Sequence, residues 1–223
     1  SLSLTGTSVD ASSLGKPAYP NTDGSITSLV RANTAYGQSI VSYTGNGTAS
    51  ATVAHGLSAK PEMIIIKNRT SSSKNWYVYH EDLHASSPED YRVLLNTTAA
   101  ASSNTTGNSL QGTAPTNSLF TLGNGSWVNE NNSAIIAYCF HSVSGYSKFG
   151  TYTGDATTDN SKSVTVGFQP SFLMVKKTSG TGNWVMVDNT RNPNVDDIDL
   201  YVKADTSDAE ATQSGNLFKF TST

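Results

Sequence analysis

Residues His80-Glu81-Asp82-Leu83-His84 have the His-Glu-x-x-His order of zinc hydrolases. On a helix, residues four apart share a face, so two imidazoles reach one zinc and the glutamate between them activates its water. Here the preceding residues alternate instead: Trp76, Val78 and His80 fall on one side, Tyr77 and Tyr79 on the other, which is the period of a strand. Ser86-Ser87-Pro88 then cuts off any helix within a turn. The motif is expected to be a coincidence at a strand end, so His80, Glu81 and His84 are not expected to bind zinc, and no cofactor is expected.

Other arrangements are weaker. Asp196-Asp197-Ile198-Asp199 and the loop from Gly154-Asp155 to Asp159-Asn160 offer oxygen ligands, but neither has the Asp-x-Asp-x-Asp-Gly order of a helix-loop-helix calcium site, and both read as solvated loops. No Gly-x-Ser-x-Gly elbow fixes a nucleophilic serine. Gly45-Asn46-Gly47 and Gly123-Asn124-Gly125 lack the Gly-Lys-Ser/Thr that completes a phosphate loop, and read as tight turns. Glycan cleavage needs paired carboxylates about 5 to 10 Å apart, whereas Glu62, Glu81, Glu89, Glu130 and Glu210 are scattered. The chain is therefore expected not to be an enzyme. Asn46, Asn68, Asn96, Asn104, Asn124 and Asn131 each open an Asn-x-Ser/Thr triplet, which matters only on a eukaryotic secretory route.

Aromatic side chains remain as contact candidates. Trp76 and Trp184 sit at matching places in two similar stretches and are expected in the core. Trp127 has no such counterpart; with Asn129 and Asn131 beside it, it is the candidate for an exposed host-surface contact. Cys139 lies in the apolar run Ala134 to Phe140 and is expected to be a buried, inert thiol.

The elements that position these residues follow from composition and from an internal repeat. Only 14% of the 223 residues are charged, and Ser, Thr, Asn and Gly dominate. That mixture favours strands and turns over helices. A net charge of −3 without a basic cluster argues against a nucleic-acid partner, and no apolar run is long enough to span a membrane as a helix. The chain opens on Ser, with no basic start and apolar core, so no signal peptide is expected.

The repeat is carried by Gly56 to His80 and Gly167 to Asp188. Pro61 answers Pro170, Met63 answers Phe172, Ile64 to Ile66 answer Leu173 to Val175, Lys67 answers Lys176, Trp76 answers Trp184, and Tyr43-Thr44-Gly45 answers Tyr152-Thr153-Gly154. The expected fold is all-β, with two tandem diverged copies of a small β-sandwich or jelly-roll-like domain. Residues 1–25 are expected as a linker or arm, 26–132 as the first copy and 133–223 as the second. Met63 to Lys67, nearly continuously apolar, should be a strand buried on both faces. Further strands are expected at Thr27–Arg31, Ser39–Tyr43, Ala49–Val53, Asn75–His80, Tyr91–Asn96, Leu119–Leu122, Trp127-Val128, Ser163–Val166, Ser171–Lys177, Asn183–Asp188, Asp199–Lys203 and Leu217–Phe220. The last answers Leu119–Leu122, and the chain stops where a partner of Trp127-Val128 is due. Either it is a fragment, or a neighbouring chain completes the sheet.

His55-Gly-Leu-Ser-Ala-Lys-Pro-Glu-Met-Ile-Ile-Ile-Lys-Asn68, Trp76-x-Val-Tyr-His80, Ile136-Ala-Tyr-Cys-Phe-His-Ser142, Gly145-Tyr-Ser-Lys-Phe-Gly150 and Tyr152-Thr-Gly-Asp155 resemble the duplicated β domain of large structural proteins of marine tailed bacteriophages. The resemblance runs from about Thr27 to Glu210 and assigns no catalytic residue. It implies a virion structural protein, part of a tail fibre or similar appendage used in host attachment, assembled in the bacterial cytoplasm. A head-fibre or capsid-decorating role is the alternative, and a surface-glycan depolymerase or zinc hydrolase a remote one. Expected partners are other virion proteins, copies of the same chain as a trimer, and host envelope glycans.

Overall fold

Pro61 ahead of Met-Ile-Ile-Ile-Lys-Asn and Asn68 at its end bound a β-branched run, and in the computed structural model this run is strand β5, Met63–Asn68. The structure describes residues 18–103, 110–154, 162–214 and 217–221. Apart from two 3-10 turns, regular structure is strand throughout: β1 Tyr19–Asn21, β2 Ser28–Asn33, β3 Gln38–Thr44, β4 Ala51–Ala54, β6 Tyr77–His80, β7 Tyr91–Leu94, β8 Ser102–Ser103, β9 Leu119–Leu122, β10 Ala134–Phe140, β11 Phe172–Lys176, β12 Trp184–Asp188, β13 Leu200–Lys203 and β14 Ala211–Thr212. The chain is all-β.

These strands form an eight-stranded sheet in the order β1-β2-β3-β10-β5-β6-β7-β8, a pair β4-β9, and a four-stranded sheet β11-β12-β13-β14. The named strands pair antiparallel. At the centre of the large sheet, β10 pairs with β3 from Ala134↔Thr44 to Phe140↔Gln38 and with β5 from Ile135↔Asn68 to Phe140↔Met63.

Alternation along the strands sorts side chains onto two faces. Ile135, Ala137 and Cys139 of β10, Ile64 and Ile66 of β5, and Tyr77 and Tyr79 of β6 join one core with Val53, Phe120 and Leu122 of the β4-β9 pair. Each fully buried isoleucine contributes roughly 1.5 to 3 kcal/mol relative to its exposed state. Met63, Ile65, Val78, Val93, Leu95 and Phe140 look the other way and meet Met174, Trp184 and Ala204 of the four-stranded sheet. Behind that sheet a third cluster gathers Leu173, Val185, Val187, Ile198, Tyr201 and Phe220. The layers are thus pair, eight strands and four strands, and β5 is covered on both faces as its sequence predicts.

The small sheet repeats the pairing of β5 to β8. Met63↔His80 reappears as Phe172↔Asp188, and Val78↔Val93 as Met186↔Val202. Tyr91↔Ser103 and Arg92↔Ser102 reappear as Leu200↔Thr212 and Tyr201↔Ala211. The turns agree as well. Asn96 Oδ1 accepts from Trp76 N at 3.0 Å and its amide donates to Asn75, while Asp205 accepts from Trp184 N at 3.0 Å and from Asn183.

Three expectations need correction. A boundary at residue 133 would cut the large sheet, because β10 lies between β3 and β5; its alternation announces a strand without saying which distant strands it joins. Residues 18–25 are not all linker: Tyr19–Asn21 forms the edge strand β1 against β2, where Pro20 needs no ladder N–H, and residues 1–17 lie outside the described residues. The second half does not close as its own sandwich. Expected strands at 163–166, 217–220 and Trp127-Val128 do not form: Val164 is exposed, Phe218 makes a single bridge to Ile198, and Val128 N donates to Gly125 O in a turn.

Candidate functional site

The Trp127 to Asn131 segment lies against the Gly45-Asn46-Gly47 turn at one end of the large sheet. Asn129 is 0% exposed. Its Oδ1 accepts from Asn46 N at 2.9 Å, and its Nδ2 donates to Asn46 Oδ1 at 3.1 Å and to Thr48 O at 2.9 Å. Its backbone carbonyl accepts from Gly47 N at 2.9 Å. The close approach explains Gly45, where any side chain would collide with the Glu130 carbonyl oxygen. Asn129 is therefore a bracket between two loops and not a surface contact, which corrects its place among the host-contact candidates. A buried amide must satisfy its own hydrogen bonds, and here it does so within the protein.

Trp127 is half-buried, packs against the first core, and carries the Arg92 guanidinium 4.6 Å from its ring centroid. Such stacking fixes both side chains. Of the three candidates, Asn131 is the exposed one. Beside them, Glu130 Oε2 accepts from Asn68 Nδ2 at 2.6 Å and Ser133 Oγ at 3.0 Å. The bonds from Ser133, then Asn68, hold its carboxyl below the usual range. Asn68 in turn caps the next turn, its Oδ1 accepting from Thr70 N and Ser71 N.

The His-Glu-x-x-His residues lie at the end of β6. His80 Nδ1 accepts from Asp82 N at 3.1 Å, and its counterpart in the small sheet, Asp188, accepts from Thr190 N at 3.0 Å in the same manner. Burial, opposed by Asp82, lowers the His80 pKa. Glu81 pairs with Lys60 at 2.7 Å. His84 stacks on Tyr91 with centroids 4.3 Å apart, and its Nδ1 faces the amides of Ser86 and Ser87. Each side chain closes a turn or joins a neighbour. Among the described residues no three His, Cys, Asp or Glu side chains gather to hold a metal ion.

The remaining candidates take similar places. Asp196 N bonds Asn194 Oδ1 and Asp199 N bonds Asn192 Oδ1, so this acidic stretch is folded around asparagine turns; positions 155–160 lie outside the described residues apart from Gly154 before them. Cys139 is fully buried, and burial pushes its thiol up to about 12. Trp184 is buried, its Nε1 donating to Leu94 O at 2.9 Å, which ties the two larger sheets together. The stretch from Ile136 to Gly150, part of the resemblance, is held by a chain of contacts: Glu62 accepts from Ser142 N at 2.8 Å and from its hydroxyl, Phe149 N donates to Ser142 Oγ at 3.0 Å, and Phe149 stacks on Phe140. Sequence reasoning missed this latch, as it missed Asn68 with Glu130 and Arg92 with Trp127, because the partners lie far apart along the chain and no local pattern joins them.

An open groove of about 550 Å³ lies over β2, β3 and β10, lined by Arg31, Asn33, Gln38, Ile40, Tyr138 and Phe140 among others. The cross-strand rows Arg31-Ile40-Tyr138 and Asn33-Gln38-Phe140 form its floor. It mixes a cation, two amides and two aromatic rings, a composition suited to weak polar contacts.

A family model described as a domain of unknown function (DUF7483) matches residues 13–223. No curated protein and no solved structure matches the chain.

Proposed function

This chain belongs to the DUF7483 family, and we propose that it is a bacteriophage virion structural protein, part of a tail fibre or similar appendage that meets the host surface. The observation that carries the reading is the use made of its polar side chains. His80, Glu81, His84, Asn129 and Glu130 each close a turn, pair with a neighbour or bracket a loop, which is what a scaffold asks of them. The resemblance to phage structural proteins adds support, since Ile136 to Ser142 supplies most of the central strand and its latch to Glu62.

In this reading the chain is assembled in the bacterial cytoplasm, stands among other virion proteins as a trimer, and contacts host envelope glycans through exposed loop residues such as Asn131. Cryo-electron microscopy of the particle tests it. Density for three copies about one axis at the tail is the expected result. Density on the capsid lattice would overturn the attachment role and move the function to shell decoration.

A further inference from the structure

We infer that β11 to β14 is a copy of the unit around β5 without its central strand, and that the edge of β11 accepts an extended segment, from outside β1 to β14, with the chemistry of β10. That segment alternates small apolar with aromatic or branched residues and runs antiparallel to β11. The inference stands whether the chain serves a tail or a head.

The template is within the chain. β5 to β8 and β11 to β14 share strand order, pairing register and the hydrogen-bonded Asn-Trp turn. In the large sheet the other edge of β5 is occupied by β10, whereas among the described residues β11 ends its sheet. The difference shows in matched side chains. Met63 is 7% exposed and its counterpart Phe172 is 57% exposed. On the far side of β10 lies β3, whose Tyr43 is 4% exposed with its hydroxyl donating to Val128 O; the counterpart Tyr152 is 49% exposed and lies in no strand. Both aromatic residues that would flank a second central strand are uncovered.

The edge is chemically open as well. Asn189 N donates to Ser171 O at 3.0 Å, so by the alternation of an antiparallel ladder Phe172, Met174 and Lys176 turn their N–H and C=O groups away from β12, to the free edge. Natural edges are guarded by lysine, proline or a bulge. Lys176 does not guard this one, since its Nζ donates to Thr98 O and Lys177 O. Strand addition at such an edge draws affinity from main-chain bonds and specificity from alternate side chains. The chain's own β10 cannot serve, being held by β3 on one side and β5 on the other. The strand therefore lies outside β1 to β14.

The test uses the full chain and a synthetic peptide of the sequence Ser133 to Ser142 with Cys139→Ser. One peptide per chain should bind, and amide exchange at Phe172, Met174 and Lys176 should slow by about tenfold or more. The same peptide N-methylated at Ile136, Tyr138 and Phe140, the positions that face β5 in the large sheet, should fail to bind, a control that leaves the protein untouched. Phe172→Pro, at the exposed first position of the strand, should also abolish binding while the unfolding midpoint stays near that of the parent. Absence of peptide binding, or equal binding of the N-methylated form, overturns the proposal. So does a dimer that forms without peptide and protects the β11 amides, because the occupant would then be β11 of a second copy.

Discussion

Replacing Asn129 by alanine separates a structural bracket from a surface contact. The substitution removes three side-chain hydrogen bonds, at 2.9, 3.1 and 2.9 Å, from a residue that is 0% exposed. Each is worth about 0.5 to 1.5 kcal/mol net. Asn46 and Thr48 are both exposed and can rehydrate, and Thr48 O keeps a bond from Ala51 N at 3.4 Å, so about 0.7 to 1 kcal/mol applies to each bond. The expected loss is about 2 to 3 kcal/mol, or roughly 4 to 12 °C in Tm for a chain of this size. Asn129→Asp keeps the acceptor for Asn46 N but sets a carboxylate against Asn46 Oδ1 and Thr48 O. It should cost at least as much at pH 7 and recover part of the loss at acid pH, where the protonated carboxyl can donate. Asn131→Ala, at an exposed position, should stay within about 0.5 kcal/mol of the parent. Urea unfolding with a common m value measures all three. If Asn129→Ala also falls within about 0.5 kcal/mol, the bracket does not contribute and the reasoning fails.

Stability should fall below about pH 6.5. His55 is fully buried, its Nδ1 accepts from Leu57 N at 3.1 Å and its Nε2 donates to Thr116 O at 3.1 Å; burial first of all lowers its pKa, so the unfolded chain takes up a proton before the folded one does. Urea midpoints at pH 7.5 and 5.5 should show the drop, and His55→Gln should reduce it. Cys139, its thiol pushed up to about 12 by burial, should not react with a thiol reagent at pH 8 until urea unfolds the chain, when the full equivalent should appear; prompt reaction in the native state would show the strand opening. His80→Asn should be tolerated within about 1 kcal/mol, because its oxygen can accept from Asp82 N as Asp188 does from Thr190 N, and zinc should leave the Tm of the parent chain unchanged.

What could be read from the residues was local. Leu119–Leu122 and Met63–Asn68 are bounded runs of strand-forming residues, and both occur at or within a residue of their expected limits. The matching of Trp76 with Trp184 was legible too, and the paired strands share register around them. Partnership across the chain was not legible. The run Ala134–Phe140 looked like the opening of a second unit because its alternation is the same wherever it pairs, yet it completes the first sheet. At the candidate site, Asn129 looked exposed because it sits in a polar, turn-rich stretch; the amides that enclose it are supplied by Asn46 and Thr48, 83 and 81 residues away. Polarity in a sequence reports what a side chain can bond, not whether water or protein provides the bond.

The place of β10 also sets the order in which this protein can acquire its structure during synthesis. The strand that joins β3 to β5 is the last of the eight to leave the ribosome, since all its sheet neighbours precede it in the chain. Until residue 140 has emerged, β1 to β3 and β5 to β8 are two separate ribbons, each with an unpaired apolar edge. Such non-local closure is slow, and exposed edges of this kind are where nascent chains aggregate. Yield in the cell should thus depend on the rate at which the stretch between β9 and β10 is translated, and a pause placed just before Ala134 should lower the soluble fraction more than the same pause placed after Phe140.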